Sequence, residues 1–210
     1  MPAVVGITTW SPMFNEALNS AKAVKAVNPQ ACTVMGGPHP TGYWKSVIEN
    51  DEVDFVFRGE SEIDFSLFLD RVYEGSHDYH DIEGIVFKAK DSSIIEGAVT
   101  LIDDLDVLKL PDYDAIQLKN YIDRGYRYLT REKNNAPIWA TRGCPYRCQY
   151  CASPMISGKG VRKHSSQYLI DWINELKECY GTKHINIIDD NFTFDVRYLK
   201  RSAVILLTQS

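Results

Sequence analysis

Short apolar runs alternate with longer amphipathic segments through the first third of the chain. Continuous apolar runs predict strands that are buried on both faces, and apolar positions at helical spacing between them predict helices. The predicted strands are Val4–Thr8, Cys32–Met35 and Val53–Phe57, and the predicted helices are Phe14–Val27, Tyr43–Glu49 and Ile63–Tyr73. This alternation is typical of an α/β domain in which helices cover both faces of a parallel sheet.

The regular alternation stops after the third helix. Ile85–Lys88 and Ile94–Glu96 flank a polar turn and predict a hairpin at the sheet edge. Periodicity then fades from residue 97 to residue 137. This stretch holds too many apolar and aromatic residues to stay disordered, so we expect a connector that packs along the domains.

The last third returns to strand and helix patterns. Ile138–Thr141 and His184–Ile188 read as strands. A helix capped by Ser165 or Ser166 presents one apolar stripe and ends at Gly181, and Val196–Leu207 predicts a further helix. The stripe consists of Leu169, Ile173, Leu176 and Tyr180. Two successive βα units with polar groups at the strand tips suit the start of a βα barrel.

The composition fits a globular protein of one large or two small domains. Of the 210 residues, 44% are hydrophobic and 24% are charged. We find no apolar run of about 18 residues and no signal peptide, and therefore expect a cytoplasmic protein with reduced thiols and no membrane span. A net charge of −5 argues against a broad nucleic-acid surface and favours a small-molecule substrate.

Three cysteines lie within eight residues directly after the strand predicted at Ile138–Thr141. Their pattern is Cys144-x3-Cys148-x2-Cys151. A 4Fe-4S cluster needs one ligand for each iron, so three thiolates leave one iron open for chemistry. Gly143 and Pro145 suit a loop that wraps a bulky anionic group.

Other roles for these thiols stay open on the residues alone. A structural zinc site would need a fourth ligand, and His164 is the nearby candidate. Three cysteines cannot all pair in disulfides, and chance clustering is the remaining alternative. Cys32 and Cys179 stand apart, and we expect each to be a small buried apolar residue.

The cysteine spacing, with Tyr150 just before the last cysteine, resembles the signature loop of radical S-adenosylmethionine (radical SAM) enzymes. The resemblance implies that SAM chelates the open iron and that an electron from the cluster cleaves SAM to a 5′-deoxyadenosyl radical. Tyr150 would then lie against the adenine. The loop Asp189–Thr193 resembles the family's methionine-binding segment, which implies that Asp190 and Thr193 contact SAM. Helix capping is the alternative role for this loop.

The first third resembles the flavodoxin-like cobalamin-binding domain found upstream of many radical SAM cores. The resemblance rests on the strand runs and on Gly36-Gly37-Pro38-His39-Pro40. It implies that Gly36 and Gly37 let the chain approach the nucleotide tail of cobalamin, whereas His39 is expected to be a loop histidine. The family's Asp-x-His-x-x-Gly motif is missing from this sequence, and its nearest imitation, Asp78–Gly84, reads as a surface turn. Cobalamin is therefore a possible cofactor rather than a required one.

The resemblance divides the chain into residues 1–97, a cobalamin-binding-like domain; 98–136, a connector; and 137–210, the first two βα units of a radical SAM partial TIM barrel. It covers only part of each family domain, so we expect a piece of a larger enzyme with an aggregation-prone barrel edge. An electron donor such as flavodoxin or ferredoxin is the implied partner. The competing hypothesis is a noncatalytic α/β binding module with a structural zinc or iron loop. The substrate is not predicted.

Overall fold

The computed structural model describes residues 3–126 and 130–208, with side chains described up to residue 203. The chain forms two compact units. The first comprises Met1–Ile102 with Met155–Gly158, and the second comprises Asp103–Pro154 with Lys159–Ser210. The division after residue 102 lies five residues beyond the predicted end of the first domain. The predicted boundaries at residues 97 and 136 stay predictions.

A five-stranded sheet forms the centre of the first unit. Its strands, in spatial order, are β1 (Val4–Thr8), β2 (Cys32–Gly36), β3 (Phe55–Phe57), β4 (Ile85–Lys88) and β5 (Ile94–Glu96). The first three strands are parallel, and the last two are added antiparallel as the predicted hairpin. The carboxyl ends of β1, β2 and β3 therefore share one edge.

Helices cover both faces of this sheet, as the alternating pattern predicts. The helices are α1 (Phe14–Val27), α2 (Pro38–Ile48) and α3 (Glu62–Tyr73). The cross-strand row Met35, Val56 and Val86 is fully buried and packs against α1 and α2. The adjacent row, which includes Phe55 and Phe87, packs on the other face in a cluster with Phe68 of α3. The α/β fold class is confirmed.

Helix α2 begins five residues earlier than predicted. Gly37 adopts a left-handed φ of 99° just before it, and Pro38 occupies its first turn. Proline favours this position because its fixed φ suits the helix and its missing N–H would have no partner there. Backbone angles at Tyr43 depart from helical values and mark a kink. The predicted helix start at Tyr43 was therefore wrong.

The second unit is built around a parallel strand pair. Its elements are α4 (Leu118–Asp123), β6 (Asn135–Ile138), β7 (Thr141–Arg142), the first two residues of α5 (Ser153–Ile156), β8 (Arg162–Lys163), α6 (Ser166–Tyr180), β9 (His184–Ile187) and α7 (Val196–Thr208). Strand β6 pairs in parallel with β9, and α6 connects them. Ser165 caps α6 by accepting the N–H of Tyr168, and Gly181 ends it at a φ of 64°. The partial TIM barrel stays a prediction.

The strand predicted at Ile138–Thr141 is divided in the structure. Asn135–Ile138 forms β6, and Thr141–Arg142 turns away to pair antiparallel with β8. Asn135 is buried because its side-chain amide donates to three backbone carbonyls, including that of Tyr126 at 3.0 Å. An apolar-run criterion does not find a strand that begins on a buried asparagine.

The connector is packed, as its composition predicts. Leu105, Tyr113 and Leu118 are all buried. The indole N–H of Trp172 in α6 donates to the Tyr113 hydroxyl at 2.6 Å, and burial raises the pKa of Tyr113 to about 12. In the described part of the chain, the helices are all too short or too polar to cross a membrane.

We predict that Phe68→Ala lowers the free energy of unfolding by about 3–5 kcal/mol, because it empties the centre of the aromatic cluster under α3. Phe68 is fully buried, whereas Tyr73 on the same helix is 94% exposed. Tyr73→Ala is therefore the matched control and should change stability by less than about 0.5 kcal/mol. Urea denaturation followed by circular dichroism measures both. Equal losses from the two variants would contradict the packing described for α3.

Candidate functional site

The parallel pairing of β6 and β9 brings two loops to the same edge of the second unit. The loop after β6 leads through β7 to the cysteines, and the loop after β9 begins with Asp189. The Asp189 carboxylate accepts the backbone N–H of Ala140 and the hydroxyl of Thr141, both at 2.8 Å. Burial raises the pKa of this carboxyl, while its bonds to Thr141 and Ala140 oppose the shift. Asp189 thus fastens the start of the cysteine loop to the neighbouring strand.

The cysteine loop, residues 143–151, projects from this edge. Gly143 takes a left-handed φ of 87°, which favours glycine. Cys144 is half-buried and pairs with Lys159 through an isolated backbone bridge, whereas Cys148 and Cys151 are exposed. The N–H of Cys151 donates to the carbonyl of Cys148 at 3.1 Å. All three thiols are free, so each is available as a ligand.

No three Asp, Glu, His or Cys side chains converge around a single ion position in the parts of the chain that the structure describes. A 4Fe-4S cluster makes a different demand, because each thiolate binds its own iron. His164, the fourth ligand considered for zinc, is 4% exposed, and its Nδ1 contacts Asp106 at 3.1 Å. Its ring also stacks on that of Tyr168, with the two ring centroids 4.0 Å apart. His164 is therefore held in the connector's packing.

The remaining predicted SAM contacts lie in the second unit in different settings. The hydroxyl of Ser153, two residues after Cys151, donates to the exposed carboxylate of Asp190. This bond brings Asp190 beside the end of the cysteine loop. Thr193 is exposed in a short 3-10 helix, and Tyr150 is 92% exposed. The SAM roles of Tyr150, Asp190 and Thr193 stay predictions.

Lys163 of β8 secures the beginning of α7. Its ammonium lies 2.6 Å from the Asp195 carboxylate, which also accepts the backbone N–H groups of Arg197 and Tyr198. The hydrogen bond from Lys163, followed by the one from Tyr198, lowers the pKa of Asp195 to about 2. Lys163 is therefore committed to a structural ion pair.

A separate cleft of about 490 Å³ opens at the carboxyl edge of the sheet in the first unit. Four glycines contribute to its lining, namely Gly6, Gly36, Gly37 and Gly59. A Cβ on Gly6 would make only an ordinary contact of 3.8 Å with Phe65, whereas one on Gly37 would come within 2.7 Å of the Thr8 hydroxyl. Gly36 and Gly37 both line this cleft, and a cobalamin role for them stays a prediction.

His39 lies at the start of α2 and faces protein groups. Its Nδ1 is 3.0 Å from the Ser11 hydroxyl, and its ring lies between Phe14 and Tyr43. Burial lowers its pKa, which favours the neutral ring. His39 therefore lies in the first turn of a helix, and the loop position expected from the sequence was wrong.

Sequence reasoning missed two features of these sites and misplaced a third. It gave no role to Asp189, although the alternation of side chains along β9 puts Asp189 on the same face as Ile185 and Ile187. It also omitted Glu60, which lines the cleft and accepts the N–H of Ile102 at 3.0 Å. Cys179 was expected to be buried but is exposed on α6, because it falls outside the apolar stripe of that helix.

Similarity to known proteins extends along nearly the whole chain. Residues 1–69 match the family model of the B12 binding domain. An uncharacterized methyltransferase of Pyrococcus horikoshii is 31% identical over 195 residues, covering 92% of this chain and 41% of that protein. The cobalamin-dependent radical SAM methyltransferase TokK of Streptomyces tokunonensis is 26% identical over 200 residues, covering 91% of this chain and 28% of TokK.

Solved structures show the same fold. The radical S-adenosylmethionine methyltransferase TsrM of Kitasatospora setae, solved with tryptophan substrate and a SAM analog, superposes with a TM-score of 0.73 at 15% identity. The match covers all of this chain and 41% of TsrM. The chain thus spans about two fifths of the Pyrococcus relative and of TsrM.

We predict that Asp189→Ala lowers the free energy of unfolding by about 1–3 kcal/mol, because the buried N–H of Ala140 and hydroxyl of Thr141 lose their acceptor. Asp189→Asn keeps an acceptor and should recover most of this loss. Asp190→Ala, at the exposed neighbouring carboxylate, is the matched control and should cost less than about 0.5 kcal/mol. Urea titration at pH 7 measures all three variants.

The raised pKa of Asp189 adds a pH test to the same variants. The folded state binds this proton more tightly than the unfolded state, so the parent gains stability as pH falls from the raised folded pKa toward about 3.9. The Asn variant lacks this gain. The free energies of unfolding of the parent and of Asp189→Asn should therefore differ by different amounts at pH 7 and pH 4. An equal difference at the two pH values would contradict the burial of this carboxyl.

Proposed function

Since the chain belongs to the radical SAM proteins that carry a B12-binding domain, we propose that Cys144, Cys148 and Cys151 hold a 4Fe-4S cluster in an enzyme that cleaves SAM. The observation that carries this proposal is the placement of three free thiols on a loop braced at the carboxyl edge of a parallel strand pair. Ligands of α/β folds bind at such edges. Asp190 supports the proposal because its carboxylate contacts Ser153 at the end of the same loop.

The donor set fits an iron–sulfur cluster. Thiolates are the usual ligands of such clusters, and this chain offers three of them on one short loop. The turn at Gly143 and the exposure of Cys148 and Cys151 leave room for a bulky group. Cys32 belongs to the first unit, and burial raises the pKa of its thiol to about 12, which disfavours the thiolate form that a cluster requires.

Bound together, the cluster and SAM would supply reductive cleavage of the sulfonium to a 5′-deoxyadenosyl radical. The chain's own residues would bind and orient SAM. The exposed ring of Tyr150 suits stacking against the adenine, and the Asp190 carboxylate suits the ammonium of the methionyl group. The hydroxyl of Thr193, in the same loop as Asp190, would provide a further contact to SAM.

The glycine-lined cleft of the first unit supports cobalamin as a further cofactor. Gly6 and Gly36 add no side chain to its lining, so backbone atoms at these positions can approach a ligand closely. The cleft would hold the nucleotide tail of cobalamin. The match of residues 1–69 to the B12 binding domain supports this assignment.

Methyl transfer to a small molecule is the reaction we propose for the complete protein, in the cytoplasm. The two sequence relatives described above are both named as methyltransferases. The residues that select the substrate are not identified.

We predict that anaerobic reconstitution with iron and sulfide gives a brown protein with about four irons per chain. The triple variant Cys144→Ala/Cys148→Ala/Cys151→Ala should lose nearly all of this iron because no thiolate ligand remains on the loop. The double variant Cys32→Ala/Cys179→Ala keeps the loop and is the matched control, with iron content equal to that of the parent. Iron, sulfide and zinc analyses on the same samples provide the measurement.

Two results would contradict the cluster proposal. One is stoichiometric zinc with no iron, which would favour a noncatalytic module with a structural metal loop. The other is iron that persists in the triple variant, which would show that the loop is not the binding site.

We further predict that Gly6→Leu weakens hydroxocobalamin binding at least about ten-fold, because the added side chain enters the cleft. Ala23→Leu adds similar volume at an exposed position of α1 and should leave binding unchanged. Equilibrium dialysis with cobalt analysis measures affinity, and thermal melting confirms that both variants fold. Unchanged binding in folded Gly6→Leu protein would exclude this cleft as the cobalamin site.

A further inference from the structure

Ser153 connects the end of the cysteine loop to the loop that follows β9. Its backbone N–H donates to the Sγ atom of Cys151 at 3.4 Å. Its hydroxyl donates to Oδ2 of Asp190, which lies 37 residues further along the chain. All three residues belong to the second unit. One serine therefore joins a proposed cluster ligand to a carboxylate that is proposed to contact SAM.

The hydroxyl of Ser153 bonds a group outside its own helix. Ser153 is the first residue of α5, and serine at the start of a helix commonly caps it by accepting a backbone N–H. The bond that the structure shows for this hydroxyl runs to a carboxylate of a separate loop. Helix capping therefore does not account for this contact.

The two neighbouring carboxylates after β9 differ in how their oxygens are used. Asp189 uses both of them within the protein, Oδ1 for the N–H of Ala140 and Oδ2 for the hydroxyl of Thr141. Asp190 is exposed, and Ser153 is its partner, at Oδ2, among the residues that the structure describes. Its Oδ1 remains open to a ligand. A carboxylate held at one oxygen is oriented but keeps its charge, which suits the binding of an ammonium group.

We propose that Ser153 is a positioning residue for SAM, which holds the Asp190 carboxylate beside Cys151 so that its second oxygen can accept from the ammonium of SAM. The proposal rests on the proposed function, in which Asp190 contacts that ammonium. An exposed aspartate otherwise samples several rotamers, and ordering it only when the ligand binds costs affinity. The bond from Ser153 orders the side chain before SAM arrives.

Two other roles for Ser153 make different predictions. A serine that only holds the cysteine loop would affect cluster loading rather than the affinity for SAM. A serine that contacts SAM directly would contribute to affinity whether or not Asp190 is present. Ser153→Ala separates these roles, because it removes the hydroxyl and keeps the backbone N–H that bonds Cys151.

The test compares variants of the reconstituted 210-residue chain. They are Ser153→Ala, Asp190→Ala, the double variant and Ser153→Thr, which keeps a hydroxyl. Ser20→Ala is the matched control, because Ser20 is exposed on α1 and its hydroxyl bonds the Glu16 carbonyl of the same helix at 2.9 Å. Equilibrium dialysis with labelled SAM gives the affinity per cluster. Iron analysis, an EPR-monitored redox titration without SAM and thermal melting report on the cluster and the fold.

We expect Ser153→Ala to weaken SAM binding about ten-fold, as is typical when a residue that orients a ligating group is removed. Asp190→Ala should weaken it at least as much. The double variant should match Asp190→Ala within about two-fold, because Ser153 acts through Asp190. Ser153→Thr and Ser20→Ala should bind SAM like the parent. Iron content and the reduction potential without SAM should be unchanged in Ser153→Ala, since the bond to the Cys151 sulfur remains.

Three outcomes would overturn the positioning role. Equal SAM affinity in the parent and in folded, iron-loaded Ser153→Ala would show that the hydroxyl does not orient Asp190 for SAM. Losses that add in the double variant would assign Ser153 a direct contact with SAM. Lower iron content or a shifted potential, with unchanged SAM affinity per cluster, would assign it to the cysteine loop alone.

The same experiment separates this proposal from the one on which it rests. Unchanged SAM binding in Asp190→Ala would overturn the roles of both Asp190 and Ser153 and leave the cluster proposal standing. A parent chain that binds no iron would overturn the proposed function and the positioning role together.

Discussion

The two hydrogen bonds that Asp189 accepts from Ala140 and Thr141 determine where the cysteine loop begins. Parallel pairing aligns β6 with β9 but leaves the chain free to diverge after Ile138. The carboxylate restricts that freedom by accepting the backbone N–H of Ala140, just before β7, and the hydroxyl of Thr141, the first residue of β7. The cost is a buried charge, visible in the raised pKa of Asp189. This contact holds the start of the segment that carries Cys144, Cys148 and Cys151.

The two units use the same edge of their sheets in different ways. In the first unit, glycines replace side chains around the cleft, and backbone atoms can meet a ligand directly. In the second, side chains converge from successive loops, with Ser153 of one loop bonded to Asp190 of the next. Both arrangements follow from parallel strands, whose carboxyl ends deliver consecutive loops to one place.

The sequence predicted much of the fold because the apolar periodicity is strong. The observed bounds of α1, β1, β4 and β5 agree with the predicted ones. Errors arose where polar groups or turn residues decide the structure, as with the buried Asn135 at the start of β6 and the Gly37-Pro38 entry to α2. A hydropathy pattern does not show side-chain hydrogen bonds or turn geometry, which determine where β6 and α2 begin.

The cysteine loop of the site was predicted from the sequence, whereas the role of Asp189 was not. The spacing of Cys144, Cys148 and Cys151 identified the loop, because three thiols in eight residues restrict the chemistry strongly. Asp189 and Asp190 were not distinguished from the sequence, although side-chain alternation along β9 places Asp189 on the face of Ile185 and Ile187. The hydrogen bonds of Asp189 to Ala140 and Thr141 show which of the two carboxylates turns inward.

In the proposed enzyme, three protein thiolates leave one iron of the cluster open to SAM. Mössbauer spectroscopy of chain reconstituted with iron-57 can test this arrangement, because each iron contributes its own isomer shift. Adding SAM should change the isomer shift of about one iron in four and leave the other three unchanged. Spectra of a fully loaded cluster that do not respond to saturating SAM would contradict it.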